Sequence, residues 1–341
     1  MKALKYNTEW DIDLKEIERP KIVEPNDVIV KIKYTGICGT DLGIISGAYP
    51  MAVNGVTLGH ESTGYVDEIG DNVEDFHIGD RVVINPTYYC GKCRMCQTLR
   101  INHCLHKFGT ESGVSKDGTF AEYYHTTSDY LIKIPDNMSM KAAAMTEPLS
   151  CTLMGVSKIH NLTMNVSSIV FGAGPMGILY TWALTLKGIQ SIVIENSPLR
   201  KSFAESCLPK GIRIFSSLDE ADKEYKEGSM VPRDLVIDTT EGVLDKMYPQ
   251  MSCGGIFVSI GLKNKDVKIN TRELADKSLS IIGSIDSSYS SFNEAFYLIT
   301  QTSHIKNGIC SLKNQYFSSQ NSAQAAAELH SNAFCMYFGS L

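Results

Sequence analysis

No block of lysine and arginine interrupts this sequence, and its formal charge at pH 7 is −6. That mild acidity argues against nucleic acid as a partner, because such proteins carry a basic stripe or patch. Residues Met1 to Trp10 lack the apolar core of a signal peptide. The expected compartment is therefore reducing, the cytoplasm. Internal repeats and low-complexity tracts are missing as well. One uncharged run, Ile169 to Leu186, is long enough to suggest a membrane span. It holds Gly172, Gly174, Pro175, Gly177 and Trp182, and a buried strand followed by a packed helix explains it better. No membrane partner is expected.

What is present is a chain of 341 residues, enough for about two domains. A hydrophobic fraction of 43% allows each a sizeable core. Four of the ten cysteines lie in one short loop, as Cys90, Cys93, Cys96 and Cys104. In a reducing compartment such clustering points to metal rather than disulfides. Short spacers let thiolates converge on one ion, and four sulfurs close a tetrahedral shell with no position left for chemistry. The loop is read as a structural zinc site. An iron–sulfur cluster or two disulfides are the alternatives. His103 and His106 flank the loop, but four thiolates suffice, so both are read as exposed loop histidines.

A second metal pattern precedes it. Gly36-Ile37-Cys38-Gly39-Thr40-Asp41 and Gly59-His60-Glu61 offer a thiolate, an imidazole and a carboxylate. A borderline metal such as zinc accepts all three, and a catalytic site keeps one position open. Taken alone, Cys38 reads equally well as a small buried residue and His60 as a core histidine. Glu147 sits in a helical pattern from Lys141 to Leu149 that Pro148 interrupts. On spacing alone it is a helix-start carboxylate near a positive dipole end.

The first part of the chain has the texture of an antiparallel barrel. Val28 to Lys33 alternates like a half-buried strand, and Thr63 to Ile69 and Arg81 to Ile84 read as further strands. Gly118 to Tyr123 looks like a turn into another. Character then changes. Ser167 to Phe171 leads into Gly172-Ala-Gly174-Pro175-Met176-Gly177 and a helical stretch from Ile178 to Lys187. This is G-x-G-x-x-G between strand and helix, which binds a dinucleotide pyrophosphate. A second strand, Ser191 to Ile194, ends at Glu195, where an acid binds ribose hydroxyls and repels a 2′-phosphate. NAD is thus favoured over NADP. Arg200 follows Pro198 on the next helix, at the cofactor's edge.

Strands at Asp234 to Asp238, Gly255 to Ile260 and Leu279 to Ile282 alternate with helical stretches and imply a parallel sheet. Ligands bind outside the strands' carboxyl ends, which nominates Thr239, Ser259, Ile260, Gly261, Leu262 and Ser284, with Asp286 beside them. Ordinary turns between strand and helix are the alternative. Phe292 to Ile299, Ser322 to His330 and the apolar run Ala333 to Phe338 complete the chain, its last fifty or so residues returning to the first domain.

Together, G-I-C-G-T-D, G-H-E, the four-cysteine loop, T-E-P and G-x-G-x-x-G, in that order, resemble the zinc-dependent medium-chain alcohol and polyol dehydrogenases. The polyol (sorbitol-type) branch looks closest, since Glu147 stands where classical alcohol dehydrogenases place a cysteine ligand. The resemblance implies an α/β fold: a GroES-like β-barrel catalytic domain at 1–149 and 289–341, and a Rossmann domain, a doubly wound parallel sheet, at 150–288. The active site would lie in the cleft between them. It further implies that Cys38 and His60 hold a catalytic zinc, that Glu61 and Glu147 share the remaining protein role, and that Thr40 relays the substrate proton. Asp41 matches the carboxylate that orients the ligating histidine. Two zincs per chain, NAD, a small polyol-like substrate and a homodimer or homotetramer follow from the same likeness.

Three departures limit the transfer. Gly43 replaces a relay histidine of some alcohol dehydrogenases. Asp286 stands near the position of an arginine in sorbitol dehydrogenases. The tail, Asn332 to Phe338, looks more like that of certain aminocyclitol dehydrogenases. A phosphorylated polyol of the galactitol-phosphate type, or an aminocyclitol of the 2-deoxy-scyllo-inosamine type, is therefore the alternative substrate. From another class, a zinc-structured nucleotide-binding protein without catalysis would also carry the cysteine loop and the glycines.

Overall fold

The structure is a computed structural model. It describes residues 1–160, 166–225, 231–240, 242–261, 266–301 and 316–317. Leu262 and the stretches Ser322 to His330 and Ala333 to Phe338 lie outside these residues. The chain divides into two compact units, Met1–Ser150 with Ser287–Leu341, and Cys151–Asp286.

The first unit opens with a hairpin of β1 (Lys2–Thr8) and β2 (Asp11–Glu16). Its main sheet follows: β3 (Asp27–Gly36), β4 (Glu61–Ile69), β5 (Arg81–Ile84), β6 (Tyr123–Thr127) and β7 (Leu131–Lys133). Every pairing is antiparallel, in the order β3-β4-β5-β7, with β6 on the other edge of β3. The start of β3 differs from the half-buried alternation expected of it. Val28, Ile29 and Val30 are all fully buried, because side chains on both faces of this central strand are covered. Helices are short here: α1 (Gly39–Ile45), α2 (Arg94–Gln97) and α3 (Met140–Ala144), the last capped by Ser139, whose hydroxyl accepts the Ala142 amide at 3.1 Å.

Helix α4 (Thr146–Ser157) corrects the reading of Pro148 as an interruption. Proline occupies the first turn, where its missing N–H has no intrahelical partner to lose. The boundary between the units falls within this helix.

The second unit is a six-stranded parallel sheet with helices between its strands. In chain order these are β8 (Ser167–Phe171), α5 (Pro175–Leu186), β9 (Gln190–Ile194), α6 (Pro198–Cys207), β10 (Arg213–Phe215), α7 (Leu218–Tyr225), β11 (Leu235–Asp238), α8 (Leu244–Met247), β12 (Ile256–Ser259), α9 (Thr271–Asp276) and β13 (Ser280–Gly283). The spatial order β10-β9-β8-β11-β12-β13 reverses direction between β8 and β11. Crevices at such a switch point are where doubly wound sheets bind nucleotides. Ile169, Phe171, Val236 and Phe257 are buried in its core. The uncharged run that suggested a membrane span is β8 plus α5. Among the described residues, no helix is long and apolar enough to cross a membrane.

After β13 the chain returns to the first unit with α10 (Tyr289–Gln301). A two-residue strand, β14 (Tyr316–Phe317), then pairs antiparallel with the end of β3, Tyr316 opposite Gly36.

Candidate active site

Cys38 lies two residues beyond the end of β3 and starts α1. Its backbone is extended (φ −84°, ψ 156°) and it caps the helix. The Cys38 amide donates to Asp41 Oδ2 at 2.8 Å, and the Gly59 amide donates to Asp41 Oδ1 at 3.1 Å. Fully buried Asp41 therefore ties the Cys38 turn to the segment carrying His60. Its carboxylate lies 4.0 Å from His60 Nδ1, beyond hydrogen-bond distance. Asp41 orients the backbone that carries His60 and sets its charge close to the imidazole. Gly59 has φ +92°, and a side chain there would strike Phe120, so only glycine lets the chain turn into His60.

Ligand atoms of Cys38, His60 and Glu61 lie within 4.8 Å of one another. Glu61 starts β4, opposite Gly36 at the end of β3, so strand register delivers the carboxylate next to the thiol. Glu147, in the first turn of α4, is also buried, and its charge is felt at both His60 and Glu61. It stands outside the tight trio. Thr40 Oγ1 is 3.6 Å from Cys38 Sγ.

Electrostatics of the trio favour a cation. Burial, and then the charge of Glu147, pushes the Glu61 carboxyl up to about 8. Burial raises the Cys38 thiol as well. For His60, burial opposes the charged form, but Cys38, Asp41 and Glu147 together hold the imidazolium well above its usual range. Buried His60 Nδ1 has no hydrogen-bond partner. A soft sulfur, an imidazole and a carboxylate, crowded and short of positive charge, fit zinc with one position open.

The four-cysteine loop is the contrasting case. Cys90, Cys93, Cys96 and Cys104 place their sulfurs within 4.8 Å of one another, with separations of 3.9 Å, 3.5 Å and 4.0 Å among three of the pairs. Zinc–sulfur bonds of about 2.3 Å give a tetrahedron edge of about 3.8 Å. A disulfide needs about 2.05 Å, and all four cysteines are free. Backbone amides of Cys93, Cys90 and His106 donate to the sulfurs of Cys90, Cys104 and Cys104 respectively, each at 3.4 Å. Amides of Cys96 and Leu105 lower the Cys93 thiol, while burial and the neighbouring cysteines raise that of Cys96. The loop is built to hold thiolates around one ion. His103 and His106 are exposed.

In the second unit the glycines form the turn between β8 and α5. Gly172 has φ +94° and abuts Thr239, whose hydroxyl donates to the Phe171 carbonyl at 2.7 Å. Gly174 caps α5, with Pro175 at its first position and Met176 behind it. A side chain at Gly177 would collide with the Gly172 carbonyl. Glu195 is buried at the end of β9 and accepts amides from Ala173 at 2.9 Å and Ser197 at 2.8 Å. Arg200 Nη1 is 3.8 Å from Glu195 Oε2. Ser259 ends β12 and Ile260 and Gly261 follow it, as Ser284 follows β13, and the buried Ser284 hydroxyl has no hydrogen-bond partner. Asp286 has φ +56°, a conformation aspartate tolerates, and its charge acts on Lys158, whose ammonium donates to the Gly283 carbonyl at 3.0 Å.

Residues 24–136 match the model of the alcohol dehydrogenase GroES-like domain. A sorbitol dehydrogenase from Halalkalibacterium halodurans is 31% identical over 294 residues, covering 81% of each chain. The chain belongs to the zinc-dependent medium-chain dehydrogenases, polyol branch. A D-arabitol-phosphate dehydrogenase from Enterococcus avium is 31% identical over 273 residues, covering 75% of this dehydrogenase and 74% of the relative. Among solved structures, a protein from E. coli CFT073 described as a short chain alcohol dehydrogenase, complexed with cofactor NADH, is 25% identical. It aligns with a TM-score of 0.82 over 97% of this dehydrogenase and 96% of that chain.

Sequence reasoning passed over one residue of the site. In the sequence Gly36 stands out only as part of the motif, yet the strand pairing sets it directly against Glu61. The available signal was its place at the end of a β-branched strand, where glycine weakens a strand unless something needs the space.

Proposed function

We propose that this dehydrogenase oxidises a secondary alcohol of a polyol, sugar alcohol or cyclitol reversibly to the ketone, with NAD as hydride acceptor. The balance is alcohol plus NAD⁺ to ketone, NADH and one proton. The observation that carries the reading is the Cys38–His60–Glu61 trio, a donor set that leaves a metal one position short of saturation. When bound, zinc supplies Lewis acidity that favours the alkoxide, and NAD supplies the electron sink.

The chain's own residues do the remaining work. Cys38, His60 and Glu61 would hold the metal, and Glu147 would orient a water or substrate hydroxyl beside them. Thr40 accepts the alcohol proton and passes it to solvent. Gly172, Gly174 and Gly177 expose the backbone and the α5 N-terminus to the pyrophosphate, with Pro175 and Met176 lining the turn. Glu195 accepts ribose hydroxyls, since each carboxylate oxygen takes more than one hydrogen bond. Arg200 borders the adenosine end. Thr239, Ser259, Ile260, Gly261 and Ser284 line the nicotinamide side. Cys90, Cys93, Cys96 and Cys104 hold the second, structural zinc.

The thiolate sites suit a reducing compartment, which supports a cytoplasmic location. Among the described residues, strand β13 is an edge of the parallel sheet and exposes Ile281. An unpaired edge with an apolar side chain is a template for pairing, which supports a homodimer, alone or within a homotetramer.

The test is an NAD-reduction screen over sugar alcohols, cyclitols, their phosphates and aminocyclitols, on zinc-replete protein. An unmodified polyol is expected to give the highest kcat/KM. A large preference for phosphates or amines would assign the substrate to one of those classes instead. Cys38→Ser is expected to abolish turnover while NAD binding persists, and full activity in that variant overturns the reading.

A further inference from the structure

We propose that Gly36 is a positioning residue whose missing side chain is the space the Glu61 carboxylate occupies beside Cys38 and His60. The proposal rests on the reading of that trio as the catalytic zinc site.

The glycines of this protein fall into kinds. A Cβ at Gly64 would strike the Lys31 carbonyl, one at Gly118 the Gly59 carbonyl, and one at Gly177 the Gly172 carbonyl. Those positions are closed by backbone, so the fold itself demands glycine. Gly36 is different. The three nearest atoms to its would-be Cβ all belong to Glu61: the carboxylate Oε2, which it would overlap, then Cβ at 3.1 Å and Cδ at 3.2 Å. Its φ is not in the left-handed region, so the backbone accepts any residue. Strand propensity favours almost any other one. The Gly36–Glu61 pairing of β3 with β4 fixes the confrontation, and Tyr316 of β14 pairs with Gly36 from the other side. The strand therefore cannot drift to relieve it.

Alanine at this position leaves the backbone in place and displaces the far end of one flexible side chain. The easiest accommodation is rotation of Glu61, which removes its carboxylate from the donor set. Gly36 thus acts through Glu61 and touches no reactant itself.

The experiment is a double-mutant comparison on the full-length, zinc-loaded protein. Gly36→Ala, Glu61→Ala and the combination are assayed for zinc per chain, kcat, KM and Tm. Gly36→Ala is expected to keep the structural zinc, to lose catalytic zinc on dialysis against a weak chelator, and to lower kcat about 10–100-fold, the usual cost of disturbing a ligand's support. In the Glu61→Ala background the same substitution is expected to be nearly silent in zinc retention, kcat and Tm. Equal effects of Gly36→Ala in both backgrounds, or wild-type zinc retention and kcat in the single variant, overturn the proposal. A single variant that does not fold leaves the comparison in the Glu61→Ala background to decide. A wild-type protein holding one zinc per chain instead of two overturns the catalytic-zinc reading itself, which separates the two failures.

Discussion

Glu195 Oε2 accepts the Ala173 amide at 2.9 Å, tying the carboxylate that ends one strand to the glycine turn that ends its neighbour. The acid thus shapes the glycine turn itself. Glu195→Gln keeps the side chain's size but removes its charge and half its acceptor capacity. Charged hydrogen bonds contribute about 1.5–3 kcal/mol, so the KM for NAD is expected to rise about tenfold or more. With the repulsion gone and Arg200 nearby, the ratio of kcat/KM for NAD over NADP is expected to fall. Steady-state kinetics with both cofactors check this, and an unchanged ratio contradicts it.

The trio carries a pH signature. In the metal-free site Glu61 is pushed up to about 8, by burial first and Glu147 second, and His60 is also raised. Both shifts are upward. The stability these protons lend the metal-free protein is full below the ordinary range of each group. It drains as pH climbs through the raised values. Metal binding replaces the protons, so its stabilising effect grows over the same window. The Tm gap between zinc-loaded protein and protein with only its cysteine-loop zinc is expected to widen from about pH 5 to about pH 8. A constant gap contradicts the assignment.

The cysteine loop is expected to fail independently. Cys93→Ser removes one of four convergent sulfurs, so zinc content should fall from two per chain to one and Tm should drop. The zinc held by Cys38 should remain. Atomic emission and calorimetry read the two outcomes, and loss of both ions in step would mean the sites are not separate.

Thr40 tests the proton path. Thr40→Val keeps the shape and deletes the hydroxyl, and is expected to lower kcat by about 10²–10⁴-fold, as for other lost proton relays. Thr40→Ser is expected to retain most of it. Affinity for NAD, measured by fluorescence quenching, should be the same in both.

The parts legible from sequence were those where chemistry restricts residue type. Four thiolates around one ion need cysteines and short spacers. A backbone that approaches a phosphate needs glycines between a strand and a helix. Strands β5 and β8 begin and end where their apolar runs do. Other elements are set by contacts distant in sequence. The hairpin of β1 and β2 carries no strong turn signature, and β6 is a strand because β3 offers it an edge. Pro148 was misread because a first helical turn and a helix interior differ only in what lies upstream, here the break at Met145 between α3 and α4. Asp41, expected to orient His60, accepts the Cys38 and Gly59 amides and lies 4.0 Å from His60 Nδ1. That choice depends on a loop closure no local pattern encodes. Gly36 escaped notice for the same reason: its partner is twenty-five positions away.

Strand β14 has a consequence for how the molecule is made. Its two residues close the open edge of β3 where that strand hands over to Cys38. A ribosome must therefore emit more than three hundred residues before the strand leading toward Cys38 gains this neighbour. Nascent or proteolysed chains ending short of Tyr316 would carry every residue proposed to hold zinc, yet present a raw sheet edge beside Cys38.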